Sequence, residues 1–114
     1  MADEPSLFSK IIARELPATI RYEDTEFIAF DDIHPSAPVH VLVVPKAPYR
    51  TLEEVSADDS AFHARLLQTA RKVAATKGSA DNYKLIMNVG EHMQMVHHIH
   101  IHVMGGWNTP NPEL

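Results

Sequence analysis

Apolar side chains at positions 7, 8, 11, 12 and 16 have helical spacing and predict a short amphipathic helix over residues 7–16. Ser6 can cap its start, and Pro17 ends it by disfavouring helical geometry in the residue before it. Residues 27–30 (Phe27, Ile28, Ala29, Phe30) read as a strand closed by Asp31 and Asp32, and Pro35, Ser36, Ala37 and Pro38 follow as a loop. Residues 39–44 are apolar and valine-rich apart from His40 and stop at Pro45, which predicts a central strand. Ser56 is positioned to cap the longest helix, with Asp58 and Asp59 in its first turn. Its stripe is Phe62, Leu66, Leu67, Ala70, Val73 and Ala74, and Lys77 with Gly78 closes it. Residues 83–89 predict another strand, then a polar loop through Gly90, Glu91 and His92. Residues 96–104 predict the last strand, halted by Gly105 and Gly106. The simplest assembly is one α+β domain over residues 1–114, an antiparallel sheet with the long helix on one face. Residues 1–5 and 108–114 are expected to be irregular tails.

Composition narrows the function more than the fold. Ten Lys and Arg against fifteen Asp and Glu give a formal charge of -5, which disfavours a general nucleic-acid binder, since that needs a basic face. The absence of cysteine removes thiol nucleophiles, Cys-ligated zinc, iron–sulfur clusters and disulfides. No apolar run approaches the roughly 18 residues of a membrane span. The acidic start lacks a signal-peptide pattern, so a cytoplasmic location is the expectation.

Histidine is the exception to this ordinary composition. Five of the eight histidines fall between His92 and His102. Along residues 96–104, His98, His100 and His102 alternate with Ile99, Ile101 and Val103. In a strand this puts three imidazoles on one face and three β-branched side chains on the other. Chance would supply such a triplet roughly 0.04 times in a chain of this composition, and about 0.01 times with the apolar alternation added. His97 falls on the apolar side of the alternation and receives no catalytic role; His34 and His63 read as ordinary solvated side chains. Two chemistries fit the trio. Histidines two apart on a strand can share a zinc ion, with His40 as a further ligand. Alternatively, one neutral imidazole attacks phosphorus while its neighbours fix its tautomer, hold phosphate oxygens or protonate the leaving group. Alternation alone leaves both open.

The run His98, Ile99, His100, Ile101, His102, Val103, Met104 resembles the histidine-triad signature, His-φ-His-φ-His-φ-φ with φ apolar. The resemblance begins at Leu7, Phe8, Ser9, Lys10, Ile11 and Ile12. It continues through residues 30–35, Ala37 to His40, and Val44, Pro45 and Lys46. Gly105 and Gly106 point to the histidine-triad nucleotide-binding branch. The resemblance implies a five-stranded antiparallel sheet with one long and one short helix, joined to a second copy as a homodimer. It further implies metal-independent hydrolysis of purine nucleoside 5′-phosphoramidates, with an AMP or GMP moiety as substrate and no cofactor required. By position, His100 becomes the nucleophile that carries a covalent nucleotidyl group. His102 and His40 become its phosphate-side and orienting partners, and His98 supports it. Asn88, Gln94 and Met95 join His100 and His102 around the phosphate. Asp32 takes the ribose hydroxyls, and Leu7, Phe8, Ile11, Phe30 and Ile33 form the slot for the base. A carboxylate suits a vicinal diol because it accepts two hydrogen bonds. An apolar slot with aromatics suits a purine face.

One stretch departs from the pattern. Members of this branch commonly carry Gly-Gly-Gln-Ser-Val before the triad, where this chain has His92, Met93, Gln94, Met95 and Val96, in a loop that also looks shorter. Met95 lacks a hydroxyl, and Met93 restricts φ where glycine was free. The expectation is a nucleotide site with altered turnover or leaving-group preference. The alternatives are a dinucleoside polyphosphate hydrolase and a nucleotide-binding protein with weak catalysis. A zinc-binding histidine face is the minority reading.

Overall fold

A computed structural model of the chain describes residues 5–108. The expected tails therefore lie outside the described residues except for Pro5 and Asn108. In chain order the elements are α1 (Leu7–Ile12), β1 (Ile20–Glu23), β2 (Phe27–Asp31), β3 (Val39–Pro45), a 3-10 turn (Leu52–Glu54), α2 (Ser60–Thr76), β4 (Tyr83–Ile86) and β5 (Ile101–Gly105). The five strands form one antiparallel sheet in the order β1-β2-β3-β5-β4.

Both faces of the central strands are covered, which is why β2 and β3 read as nearly unbroken apolar runs. Alternation sends Phe27, Ala29, Val41, Val43, Ile101 and Val103 to the α2 side. There they pack with Phe62, Leu66, Ala70, Val73 and Ala74. Ile28, Phe30, Leu42 and Val44 point the other way, against Phe8 and Ile11 of α1. The short helix thus covers the face that the single-layer assembly leaves open.

Several boundaries differ from those expected. The first helix ends at Ile12 rather than residue 16, because Arg14 takes a left-handed φ of 63° and turns the chain before Pro17. α2 starts at Ser60, capped by Asp59, whose carboxylate accepts the Phe62 N–H at 3.0 Å. Ser56, the expected cap, instead accepts the Asp58 N–H in the preceding turn. The helix does end on Lys77 and on Gly78, which has φ 76°. β1 escaped the apolar pattern because it is an edge strand with three of its four residues exposed.

The last strand is the largest correction. It begins at Ile101, not residue 96, so of the three histidines only His102 lies in the ladder. Extending the register would set Ile99 opposite Pro45, which has no N–H to give. Ile99 donates its N–H to the Tyr49 carbonyl instead, at 2.9 Å. The side chains still alternate through this non-ladder segment, with Ile99 in the α2 core and His98 and His100 on the opposite side. β4 likewise ends at Ile86 rather than residue 89.

Candidate active site

Adjacent antiparallel strands deliver the first two imidazoles. In the β3–β5 register Leu42 pairs with His102 and His40 with Met104, so His40 and His102 are diagonal neighbours on the α1 side. Asp32, just past β2, is tied to the same place by its N–H, which donates to the His40 carbonyl at 3.0 Å. His100 lies 5.0 Å from His102 between ring centroids, and the Phe8 ring meets it edge-on at the same distance.

Hydrogen bonds to groups of fixed polarity assign the ring protons. The Ser36 N–H can only donate, and it reaches His40 Nδ1 at 2.9 Å, so the neutral His40 ring carries its hydrogen on Nε2. That hydrogen goes to His102 Nδ1, 2.9 Å away, with an Asp32 carboxylate oxygen also 3.5 Å from His40 Nε2. His102 therefore presents an N–H at Nε2. On His100 the logic runs the other way. Its Nδ1 lies 2.7 Å from the His98 carbonyl, which can only accept, so Nδ1 holds the hydrogen and Nε2 keeps its lone pair. Among the described residues the Thr51 hydroxyl is the only fully buried side-chain nitrogen or oxygen without a partner. The Nε2 atoms of His100 and His102 make no hydrogen bond to the described residues. A lone pair on one ring and an N–H on the other thus belong to imidazoles whose centroids are 5.0 Å apart.

Burial keeps the four rings neutral. Loss of solvation is the largest influence on His40, His98, His100 and His102, and it lowers each below the ordinary imidazole value. His102 falls furthest, to about 4, because His100 and His40 also oppose a charge there. Asp32 acts in the opposite sense on His40, His100 and His102 without overcoming burial.

The triad does not face one open cleft as three equivalent rings. His98 is 1% exposed and lies between α1 and the sheet. Its Nε2 donates to the Pro45 carbonyl at 2.8 Å, and its Nδ1 lies 2.9 Å from the Ser6 hydroxyl and 3.3 Å from that of Ser9. Ser36, Pro45, Ser6 and Ser9 are partners that sequence reasoning missed. Ser6 was visible only as a helix cap, and Pro45 and Ser36 only as strand end and loop.

The residues expected around the base divide into two groups. Phe8, Ile11 and Phe30 are buried in the core under α1, with the two phenylalanine rings 5.4 Å apart. Leu7 (46% exposed) and Ile33 (77%) stand in solvent near the Phe8 and Asp32 segments. Asp32 is half-buried and accepts the His34 N–H at 2.8 Å with one carboxylate oxygen. Asn88 is half-buried in the segment that leaves β4.

Gln94 requires a correction. Its side-chain oxygen accepts the Gly90 N–H, its side-chain nitrogen donates to the Arg50 and Val96 carbonyls, and its own N–H goes to the Gly90 carbonyl. Those polar atoms pin the loop and are not turned to a phosphate. Met93 accommodates the loop without strain: among described non-glycine residues only Arg14 has positive φ, and the left-handed position falls on Gly90 at φ 113°. Met95 is 97% exposed, and its N–H has no partner among the described residues.

Asp32, His40 and His102 bring one carboxylate oxygen and two ring nitrogens within 4.8 Å of one another. The hydrogen bonds do not suit a cation there. His40 Nδ1 already receives Ser36 N–H, and its other nitrogen holds the proton shared with His102. Ligation by His40 would require breaking one of these bonds or forming an imidazolate.

Neutral imidazoles gathered on a five-stranded antiparallel sheet backed by one long helix define a histidine-centred class of fold and site. Sequence comparison agrees: residues 13–109 match the HIT domain, and the chain belongs to the HIT family. It is 45% identical over 108 residues to the purine nucleoside phosphoramidase of Escherichia coli, covering 93% of this chain and 90% of that protein. An uncharacterized HIT-like protein of Synechocystis is 46% identical over 104 residues, covering 90% and 91%. Among solved structures, a HIT family hydrolase from Clostridium thermocellum superposes with a TM-score of 0.86 at 41% identity, covering 97% of this chain and 98% of that one.

Proposed function

We propose that this HIT-family hydrolase cleaves purine nucleoside 5′-phosphoramidates through a nucleotidyl intermediate on His100. The observation that carries the proposal is the hydrogen bonding of His100: Nδ1–H is fixed on the His98 carbonyl, which leaves the lone pair on Nε2. Nε2 attacks phosphorus as the bond to the leaving nitrogen breaks, and that nitrogen departs as an amine after taking one proton. Water then attacks the same phosphorus, restores His100 and returns one proton. The His102 Nε2–H is placed to hold a phosphoryl oxygen, and the bond from His40 keeps His102 in that tautomer. Asp32 is the group for the ribose hydroxyls, and Asn88 and the unpartnered Met95 N–H take phosphate oxygens. The exposed Leu7 and Ile33 face the base, with Phe8, Ile11 and Phe30 as its backing. The identity to the Escherichia coli phosphoramidase supports this substrate class. The same reading takes the chain as a homodimer, supported by the position of β4 at the end of the strand order and by Leu67, half-exposed on α2.

The test compares wild type and His100→Ala on an adenosine phosphoramidate, its guanosine counterpart and a diadenosine polyphosphate. The expected result is phosphoramidate turnover by wild type, a nucleotidyl group trapped on His100, and a loss of at least about 10³-fold in the variant. Preferential turnover of the dinucleotide would move the assignment to the polyphosphate hydrolase. Undiminished turnover by His100→Ala would reject the nucleophile.

A further inference from the structure

His98 is the member of the triad without an obvious task, since it is buried and its ring nitrogens reach neither His100 nor His102. Both nitrogens are nonetheless committed. The Pro45 carbonyl can only accept, so His98 Nε2 carries the hydrogen and Nδ1 must receive one. The nearest donor is the Ser6 hydroxyl, at 2.9 Å. That oxygen already accepts the Ser9 N–H at 3.0 Å as the N-cap of α1, and its own hydrogen has two acceptors in reach, His98 Nδ1 at 2.9 Å and the Ser9 hydroxyl at 3.3 Å, of which the ring nitrogen is the nearer. The Ser9 hydroxyl lies farther from the ring nitrogen, at 3.3 Å. The His98 carbonyl in turn receives the His100 Nδ1–H at 2.7 Å.

We propose that Ser6 is a positioning residue for the hydrolysis. Its hydroxyl both starts α1 and locks His98 in the Nε2–H tautomer, holding the His98 carbonyl where it orients the His100 ring. This rests on the assignment of His100 as nucleophile. The coupling runs through two hydrogen bonds in series, from Ser6 Oγ to the His98 ring and from the His98 backbone to His100. It joins the N-cap of a helix to the His100 ring, which Phe8 of the same helix meets edge-on. Substitution at Ser6 therefore acts on turnover, while nucleotide binding, which uses other groups, changes little.

The experiment combines histidine side-chain 15N spectra with steady-state kinetics on an adenosine phosphoramidate for wild type, Ser6→Ala, Ser6→Thr and Ser6→Asp. Wild-type His98 is expected as the neutral Nε2–H tautomer near pH 7. Ser6→Ala should lower kcat by about fivefold to tenfold with KM within roughly twofold, and Ser6→Thr should restore it. Ser6→Asp separates the two roles. It keeps an N-cap acceptor but removes the donor, so His98 should take a second proton and show imidazolium shifts, with kcat reduced. A wild-type His98 protonated on Nδ1, or unchanged kcat in both Ser6→Ala and Ser6→Asp, overturns the proposal. If Ser6→Ala does not fold, the wild-type spectrum and Ser6→Asp still decide it. Retained turnover in His100→Ala rejects the nucleophile assignment instead, and the His98 spectrum reads independently of that result.

Discussion

Met95 stands where this branch commonly has a serine, and its side chain extends into water. In the proposed site it contributes its backbone N–H, so the loss relative to serine is one hydroxyl and not the proposed phosphate contact itself. Met95→Ser should accordingly raise phosphoramidate turnover by a modest factor, about fivefold to tenfold, the scale of one recovered hydrogen bond. Rates on substrates with poor and good leaving amines provide the check, and the poor ones should gain more. An unchanged ratio would mean that position 95 has no part in departure of the amine.

At the scale of elements, the loop of residues 90–94 is held by the buried Gln94, whose side chain serves Gly90, Arg50 and Val96 at once. Gln94→Leu preserves bulk but strands one N–H and two carbonyls. It should cost about 1–3 kcal/mol, measured as a shift in urea midpoint. The sequence shows why such a residue is hard to foresee. The His-apolar alternation made the facing of residues 98–104 legible, because period two persists wherever the backbone is extended. The end of the ladder was not legible, since it depends on Pro45 standing across the sheet from Ile99. The same distinction holds for α2. Its stripe was readable from spacing except for Leu67, which stands half-exposed instead of buried, whereas the choice of Asp59 over Ser56 as cap depends on where the chain turns. Tautomers were less legible still, being set by the Ser36 N–H and the carbonyls of Pro45 and His98, which carry no side-chain signature.

Over the whole molecule, four histidines are held neutral by burial, and this links the site to stability. Each has a folded pKa below its unfolded value of about 6.5, so the unfolded chain binds protons first as pH falls. Their contribution is complete above about pH 6.5 and is lost on acidification towards the folded values, about 4 for His102. Urea midpoints should therefore drop steadily from pH 7 to pH 4. The decline attributable to His102 alone is on the order of 2–3 kcal/mol, and replacing His102 by Asn should flatten the curve. A midpoint constant over that interval would contradict the buried neutral rings. Sedimentation should return twice the 12.8 kDa chain mass, and a monomer at micromolar concentration would remove the proposed pairing.

The unequal thickness of the two layers has a last consequence. On one side of the sheet stand seventeen residues of α2; on the other, six residues of α1 shield His98 with little more than Phe8, Ile11 and a serine cap. The chemistry is thus sheltered by the thinner wall. A proteolytic nick or a bulky fusion that dislodged this short segment would flood the support of the proposed nucleophile while leaving the larger core standing, and a preparation could look well folded by circular dichroism yet be inert.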